Sequence, residues 1–135
     1  MEKKHTGLLL KQVYFLNQSR LNEMFAIYDL TASQTFTLIH LFHAQEEGRV
    51  INQRDIENEM DISNPTVTGI LNRLETKGLI QRKTSKEDAR IKHIQVTAKA
   101  LELDKILRKE FAKNEEAAKE RFAYLNKLVT LYGNE

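Results

Sequence analysis

The chain has no cysteine. That excludes disulfides, thiol nucleophiles, zinc–thiolate sites and redox sensing through a thiol. It has one proline, Pro65, and five glycines, so no Pro/Gly-rich linker divides its 135 residues. No apolar run approaches the roughly 20 residues that cross a bilayer. The N-terminal MEKKHTGLLLK offers three consecutive leucines, too few for a signal-peptide core. The expectation is a cytoplasmic protein with no membrane partner. No nucleophile–base pairing and no phosphate loop is visible, so neither an enzyme nor a cofactor is expected.

What is present fits one soluble domain, with 41% hydrophobic and 30% charged residues. The net charge of +2 is unevenly spread. Residues 63–99 carry eight Lys/Arg against three acids, residues 1–62 six against nine, and residues 100–135 seven of each. Positive charge is therefore concentrated in the middle of the chain, as an electrostatic footprint for phosphates requires. An ordinary solvated charged face is the plainer alternative.

The apolar periodicity predicts a mainly helical chain with one β-hairpin. A first helix over residues 6–28 has a wide apolar face: Leu9, Leu10, Val13, Tyr14, Phe15, Leu16, Leu21, Met24, Phe25 and Tyr28. That is more than a lone terminal helix on a small domain can hide, which points to a subunit interface. A second helix follows Leu30, capped by Thr31 or Ser33, with Phe36, Ile39, Leu41 and Phe42 buried and Gly48 as its stop. Asn52 caps a short helix, with Asp55 completing a capping-box variant and Ile56 and Met60 facing inward. Ile62 plugs the turn at residues 61–63. Ser63 or Asn64 caps the next helix, Pro65 sits in its first turn, and Val67, Ile70, Leu71 and Leu74 form its buried stripe up to Gly78. Residues 79–84 and 91–97 alternate as two strands around a charged six-residue loop, residues 85–90. From Ala98 the chain is helical again, with one stripe through Leu101, Leu103, Ile106, Leu107 and Phe111. A second runs through Phe122, Leu125, Leu128, Val129, Leu131 and Tyr132, and the polar residues 113–121 lie between.

A short helix, a turn, a second helix and a basic hairpin form a geometry suited to duplex DNA, one element in a major groove and another on the backbone or minor groove. Opposite the buried stripe of the fourth helix lie Pro65, Thr66, Thr68, Gly69, Asn72 and Arg73, preceded by Ser63 and Asn64. Small residues admit the helix closely. Thr66 and Thr68 carry hydroxyls for base edges or phosphates and methyls for thymine. Asn64 can read adenine or cap the helix, and Arg73 is the cation of that face. The hairpin contributes Lys83, Lys86, Arg90 and Lys92. Asp88, two residues before Arg90, can hold its guanidinium in a fixed pose for a narrow minor groove.

These residues resemble the MarR family of bacterial winged helix-turn-helix regulators. The resemblance lies in residues 30–34 (LTASQ) with Leu38 and Leu41, in residues 63–68 (SNPTVT), in residues 73–80 (RLETKGLI), and in Asp88-Ala89-Arg90 followed by Val96-Thr97. The chain departs from the family where Ala89 replaces the wing's usual Arg, where Val96-Thr97 and Ala100 replace a Leu-Thr pair and a Gly, where Glu57 stands at an often small position, and in a somewhat short C-terminal region. The resemblance implies a single domain over residues 1–135. Residues 30–99 would form the winged helix-turn-helix, and residues 1–29 and 100–135 the dimerisation helices. It implies a homodimer on a pseudo-palindromic operator, repression as the default mode, and control by a small ligand, often an aromatic acid.

Two rival readings come from other classes. His40 and His43 stand i, i+3 on a helix with Glu46 and Glu47 one turn on, the residue types of a metal-responsive regulator. A winged helix can also bind a protein partner. Its thin polar face and basic wing argue against that, because protein interfaces favour apolar centres.

Overall fold

The computed structural model describes residues 5–113 and 115–134. In chain order the elements are α1 (Thr6–Ala26), α2 (Ala32–Glu46), β1 (Ile51–Asn52), α3 (Gln53–Met60), α4 (Asn64–Thr76), β2 (Ile80–Thr84), β3 (Lys92–Val96), α5 (Ala98–Lys113) and α6 (Glu115–Gly133). The chain divides after Ala100 into two compact units.

In the first unit the core is built from α2, α3, α4 and the sheet. Leu38, Leu41 and Phe42 of α2 are buried, as are Ile56 of α3, Val67, Ile70, Leu71 and Leu74 of α4, and Ile51, Ile80 and Ile94 of the strands. Burying a side chain of this size stabilises by roughly 1.5–3 kcal/mol. The stripe expected on the fourth helix is thus the one observed. On α2 the buried face is rotated from the expected one. Phe36 is exposed and Ile39 is half-buried, while Thr35 and Thr37 lie inside. The two threonines can be buried because each hydroxyl donates to a carbonyl four residues back, Thr31 O and Ser33 O. α1 ends at Ala26, two residues before the expected boundary, and Phe25 is its one buried residue among those described. Met60 is half-buried rather than inward.

The local signals explain the boundaries. Thr31 and Gln34 form a capping box at α2, and Asn52 and Asp55 form one at α3. α4 ends in a Schellman turn. Gly78, at φ +74°, donates to Glu75 O, and Leu79 donates to Leu74 O. The same turn closes α1 and α3, but there Asp29 (φ 58°) and Asp61 (φ 53°) occupy the left-handed position. Thr97 caps α5, its Oγ1 accepting from Ala100 N–H at 3.2 Å.

The sheet has three antiparallel strands in the order β1-β3-β2. β2 pairs with β3 in the register Ile80↔Val96, Arg82↔Ile94 and Thr84↔Lys92. β1 adds Ile51↔Ile94 at the other edge. The two-residue β1 is too short to produce an alternation signal in sequence. It ties the start of α3 to the wing.

Arg82 of β2 grips Glu75 of α4, Nε to Oε2 at 3.0 Å. This hydrogen bond holds the Glu75 carboxyl below its ordinary range. Arg49 does the same to Glu59, and Arg90 to Asp88. A depressed carboxylate contributes stability above its unfolded pKa and loses it as pH falls through the folded one. Wild type is therefore expected to melt at lower temperature as pH drops below about 4. Glu75→Gln should lose less over the same interval, by no more than ~1 kcal/mol because the pair is solvent-accessible. Melting curves of both proteins from neutral to acid pH check this, and parallel curves would contradict it.

In the second unit, Phe122, Leu125, Val129, Leu131 and Tyr132 of α6 are exposed. On α5, Leu101, Ile106 and Phe111 are exposed as well. The expected polar connection falls at the break between α5 and α6, and Asn114 lies outside the described residues. Among the described residues no helix is long and apolar enough to cross a membrane.

Candidate nucleic-acid interface

α3 and α4 are joined by the left-handed Asp61 and the half-buried Ile62. Ser63 is the N-cap of α4 in extended conformation and Pro65 lies in the first turn. Its Oγ makes no capping bond but donates to Thr66 Oγ1 at 2.9 Å. The outward face runs through Asn64, Pro65, Thr66, Asn72 and Arg73, all exposed, with Thr68 and Gly69 half-buried.

Most polar groups of this face are tied down. Gln53 Nε2 donates to Thr68 Oγ1 at 2.8 Å, which links the start of α3 to the middle of α4. Asn64 Nδ2 donates to Glu57 Oε2 at 3.0 Å. Arg82 NH2 donates to Asn72 Oδ1 at 2.8 Å. A guanidinium has no acceptor, so Asn72 must turn its oxygen to Arg82 and its amide nitrogen outward. Among the described residues Arg73 makes no side-chain hydrogen bond or ion pair. Its guanidinium arches back over Gly69, where an added Cβ would lie 3.3 Å from NH1. Long side chains on a helix lean towards its N-terminus in this way.

In the wing, residues 85–91 close between β2 and β3. Ser85 N–H donates to Ile91 O at 2.8 Å, and Ser85 Oγ accepts from Glu87 N–H at 3.2 Å. Asp88 Oδ1 accepts from Arg90 N–H at 2.9 Å and from its Nε at 3.1 Å, while Oδ2 accepts from NH2 at 3.1 Å. The carboxylate thus grips both backbone and guanidinium. The Arg90 side chain still stands 90% exposed. Lys83, Lys86 and Lys92 are exposed, and among the described residues none makes a side-chain hydrogen bond, although the Lys92 charge reaches Glu75 and helps to hold its carboxyl down.

A cleft of about 340 Å³ opens between the start of α3 and the wing. Arg54, Arg82, Arg90 and Lys92 line it, with Ile91 and Ile94. Arg54 is a residue that the sequence reading did not single out. It lies upstream of the basic segment, and the short strand β1 is what brings it to the wing. Arg82 was likewise missed as a positioning group, because its partners are seven and ten residues away.

His40 and His43 are separated in their surroundings. His40 Nε2 lies 3.4 Å from Glu59 Oε1 on α3, and Arg49 hydrogen-bonds the same carboxylate. His43 Nδ1 lies 4.0 Å from Glu46. Among the described residues no three His, Asp or Glu side chains converge as a metal site would require.

Residues 30–92 match the sequence pattern of the MarR family. No curated protein sequence matches the chain. Among solved structures, the transcription regulator MarR from Oenococcus oeni PSU-1 is 28% identical, with a TM-score of 0.73 over 97% of this chain and 100% of that one. The S. aureus MepR–DNA complex gives a TM-score of 0.84 at 23% identity, over 98% and 100% of the two chains. Apo MarR from E. coli gives 0.71 at 20% identity, over 97% and 98%. The last two carry the fold alone, a winged helix with helices before and after it. The family pattern thus covers the helix-turn-helix and the first strand and loop of the wing, and the fold extends over nearly all of the chain, so the chain is similar to MarR-family regulators in both pattern and fold.

Proposed function

We propose that the protein is a transcription regulator that binds duplex DNA as a homodimer. Residues 30–99 are the DNA-binding region, and residues 1–29 and 100–135 supply the dimer contacts. The observation that carries this reading is the convergence of Arg54, Arg82, Arg90 and Lys92 on one cleft, next to a recognition face already tied in place by Gln53, Glu57 and Arg82. The relative MepR has been solved with DNA. Ser63, Asn64, Pro65, Thr66, Thr68, Gly69, Asn72 and Arg73 present the major-groove surface. Lys83, Lys86, Arg90 and Lys92 meet phosphates or the minor groove, with Asp88 holding Arg90. Two such chains, related by a two-fold axis, fit an inverted repeat whose halves are about 34–36 Å apart or a multiple of that.

Repression follows from occupying a promoter. Release by a small ligand follows if the ligand favours a spacing of the two recognition helices that no longer matches the half-sites.

Arg90→Ala tests the wing. The variant should bind duplex DNA more weakly, and its log–log salt dependence should flatten by about 1 unit of slope, one phosphate contact. Its melting temperature should fall only slightly, because the Arg90–Asp88 pair it removes is solvent-exposed. An unchanged salt slope and affinity would remove the wing from the mechanism.

A further inference from the structure

Asn64 is the first residue of α4, and its side chain is exposed. A free asparagine amide can flip and exchange its donor end for its acceptor end, because the two are nearly isosteric. In this chain the flip is blocked. Glu57 on α3 accepts a hydrogen bond from Asn64 Nδ2 at 3.0 Å. An ionised carboxylate only accepts. The nitrogen must therefore face Glu57, and Oδ1 must face away from it.

Asn64 is also relieved of capping, because Ser63 is the N-cap. It keeps an unengaged Oδ1 and one unengaged N–H. An acceptor beside a donor is the set that meets N6–H₂ and N7 of adenine in the major groove. Asn72, held by a donor-only arginine, is turned the opposite way. Thr66 and Thr68 have hydroxyl partners or amides that can be satisfied in either sense. Glu57 thus places an acceptor at the N-terminal end of the reading face, where a recognition helix first meets base edges.

We propose that Glu57 is a positioning residue for base readout: its carboxylate fixes the Asn64 amide in the orientation that reads adenine. The inference rests on α4 being the element that enters the groove. It has a second consequence. Glu57 puts a negative charge beside a helix N-terminus, a place that otherwise attracts phosphate. It therefore weakens attraction to any DNA while it sharpens the choice among sequences. Removing it should separate the two effects.

The test is selection from random duplex DNA, run with wild type, Asn64→Ala, Glu57→Ala and Glu57→Gln, alongside affinity for an unselected duplex. Wild type should enrich adenine at one position in each half-site, and Asn64→Ala should erase that preference. Glu57→Ala should reduce the same preference about tenfold, with affinity for unselected DNA unchanged or raised. Glu57→Gln can donate as well as accept, so it no longer fixes the Asn64 amide in one sense and should also weaken the preference. A merely structural role for Glu57 would lower binding to all sequences together, and that result would overturn the proposal. So would a Glu57→Ala or a Glu57→Gln variant that keeps the full wild-type adenine preference. The wild-type arm separates the two levels of failure. Enrichment without an Asn64-dependent adenine sinks the role of Glu57 alone. No enrichment in any arm sinks DNA reading by α4, and the role of Glu57 with it.

Discussion

Replacing Arg73 with alanine should cost roughly 1–3 kcal/mol at the specific DNA site, about a 5- to 150-fold loss of affinity. The size follows from its situation. Arg73 is the cation of the α4 outward face, and no acid or amide competes for it. A bidentate contact to guanine O6 and N7 is within the chemistry of such a group. If the loss is the same on all sequences, Arg73 touches phosphate only. Gly69 offers a companion test, because the guanidinium lies over it. Gly69→Ala removes the least favourable helix former from the middle of α4 and should raise stability by up to about 1 kcal/mol. It also adds a methyl 3.3 Å from the Arg73 tip, on the face that approaches the groove. Higher melting temperature with lower specific affinity is the expected combination. Gel-shift titrations on specific and unselected duplexes, with melting curves, read both quantities.

The second large effect concerns assembly. Leu16 on α1 is 68% exposed and Phe122 on α6 is 70% exposed in the single chain. Their neighbours Val13, Phe15, Leu125 and Val129 are exposed too. Exposed apolar side chains in this number on each helix fit the proposed dimer contact. A glutamate placed there leaves the single chain's core untouched but puts an unpaired charge inside the proposed dimer contact. Leu16→Glu and Phe122→Glu should therefore shift sedimentation from twice the 15.7 kDa chain mass towards the monomer. Affinity for a two-half-site DNA should fall by about 10²–10⁴, the contribution of tethering one half-site binder to the other. Dimeric variants with full affinity would contradict dimerisation through α1 and α6.

Much of the fold was legible in the sequence because it is written in local signals. The Asn52–Asp55 box, Pro65 after Ser63, the four-residue stripe of α4 and Gly78 each act within a few residues. They place the helix-turn-helix and the entry to the wing correctly. What was less legible depends on contacts between elements. The buried face of α2 is turned because Thr35 and Thr37 satisfy their hydroxyls on the helix backbone and can go inside, leaving Phe36 out. Left-handed turns at Asp29 and Asp61 lack the glycine that would announce them. Within the site, the proposed reading face rests on the spacing of residues along α4. The residues that hold it, Gln53, Glu57 and Arg82, emerge only when α3, α4 and β2 are brought together. Arg54 joins the basic cleft by the same route, through β1 pairing with β3.

The most direct measurement is selection of bound sequences from random duplex DNA at two salt concentrations. The predicted result is enrichment of an inverted repeat, with halves about 10 base pairs apart or a multiple, and affinity that falls steeply as salt rises. Binding without any enriched sequence, or no binding at either salt concentration, would contradict sequence reading by a dimer of this fold.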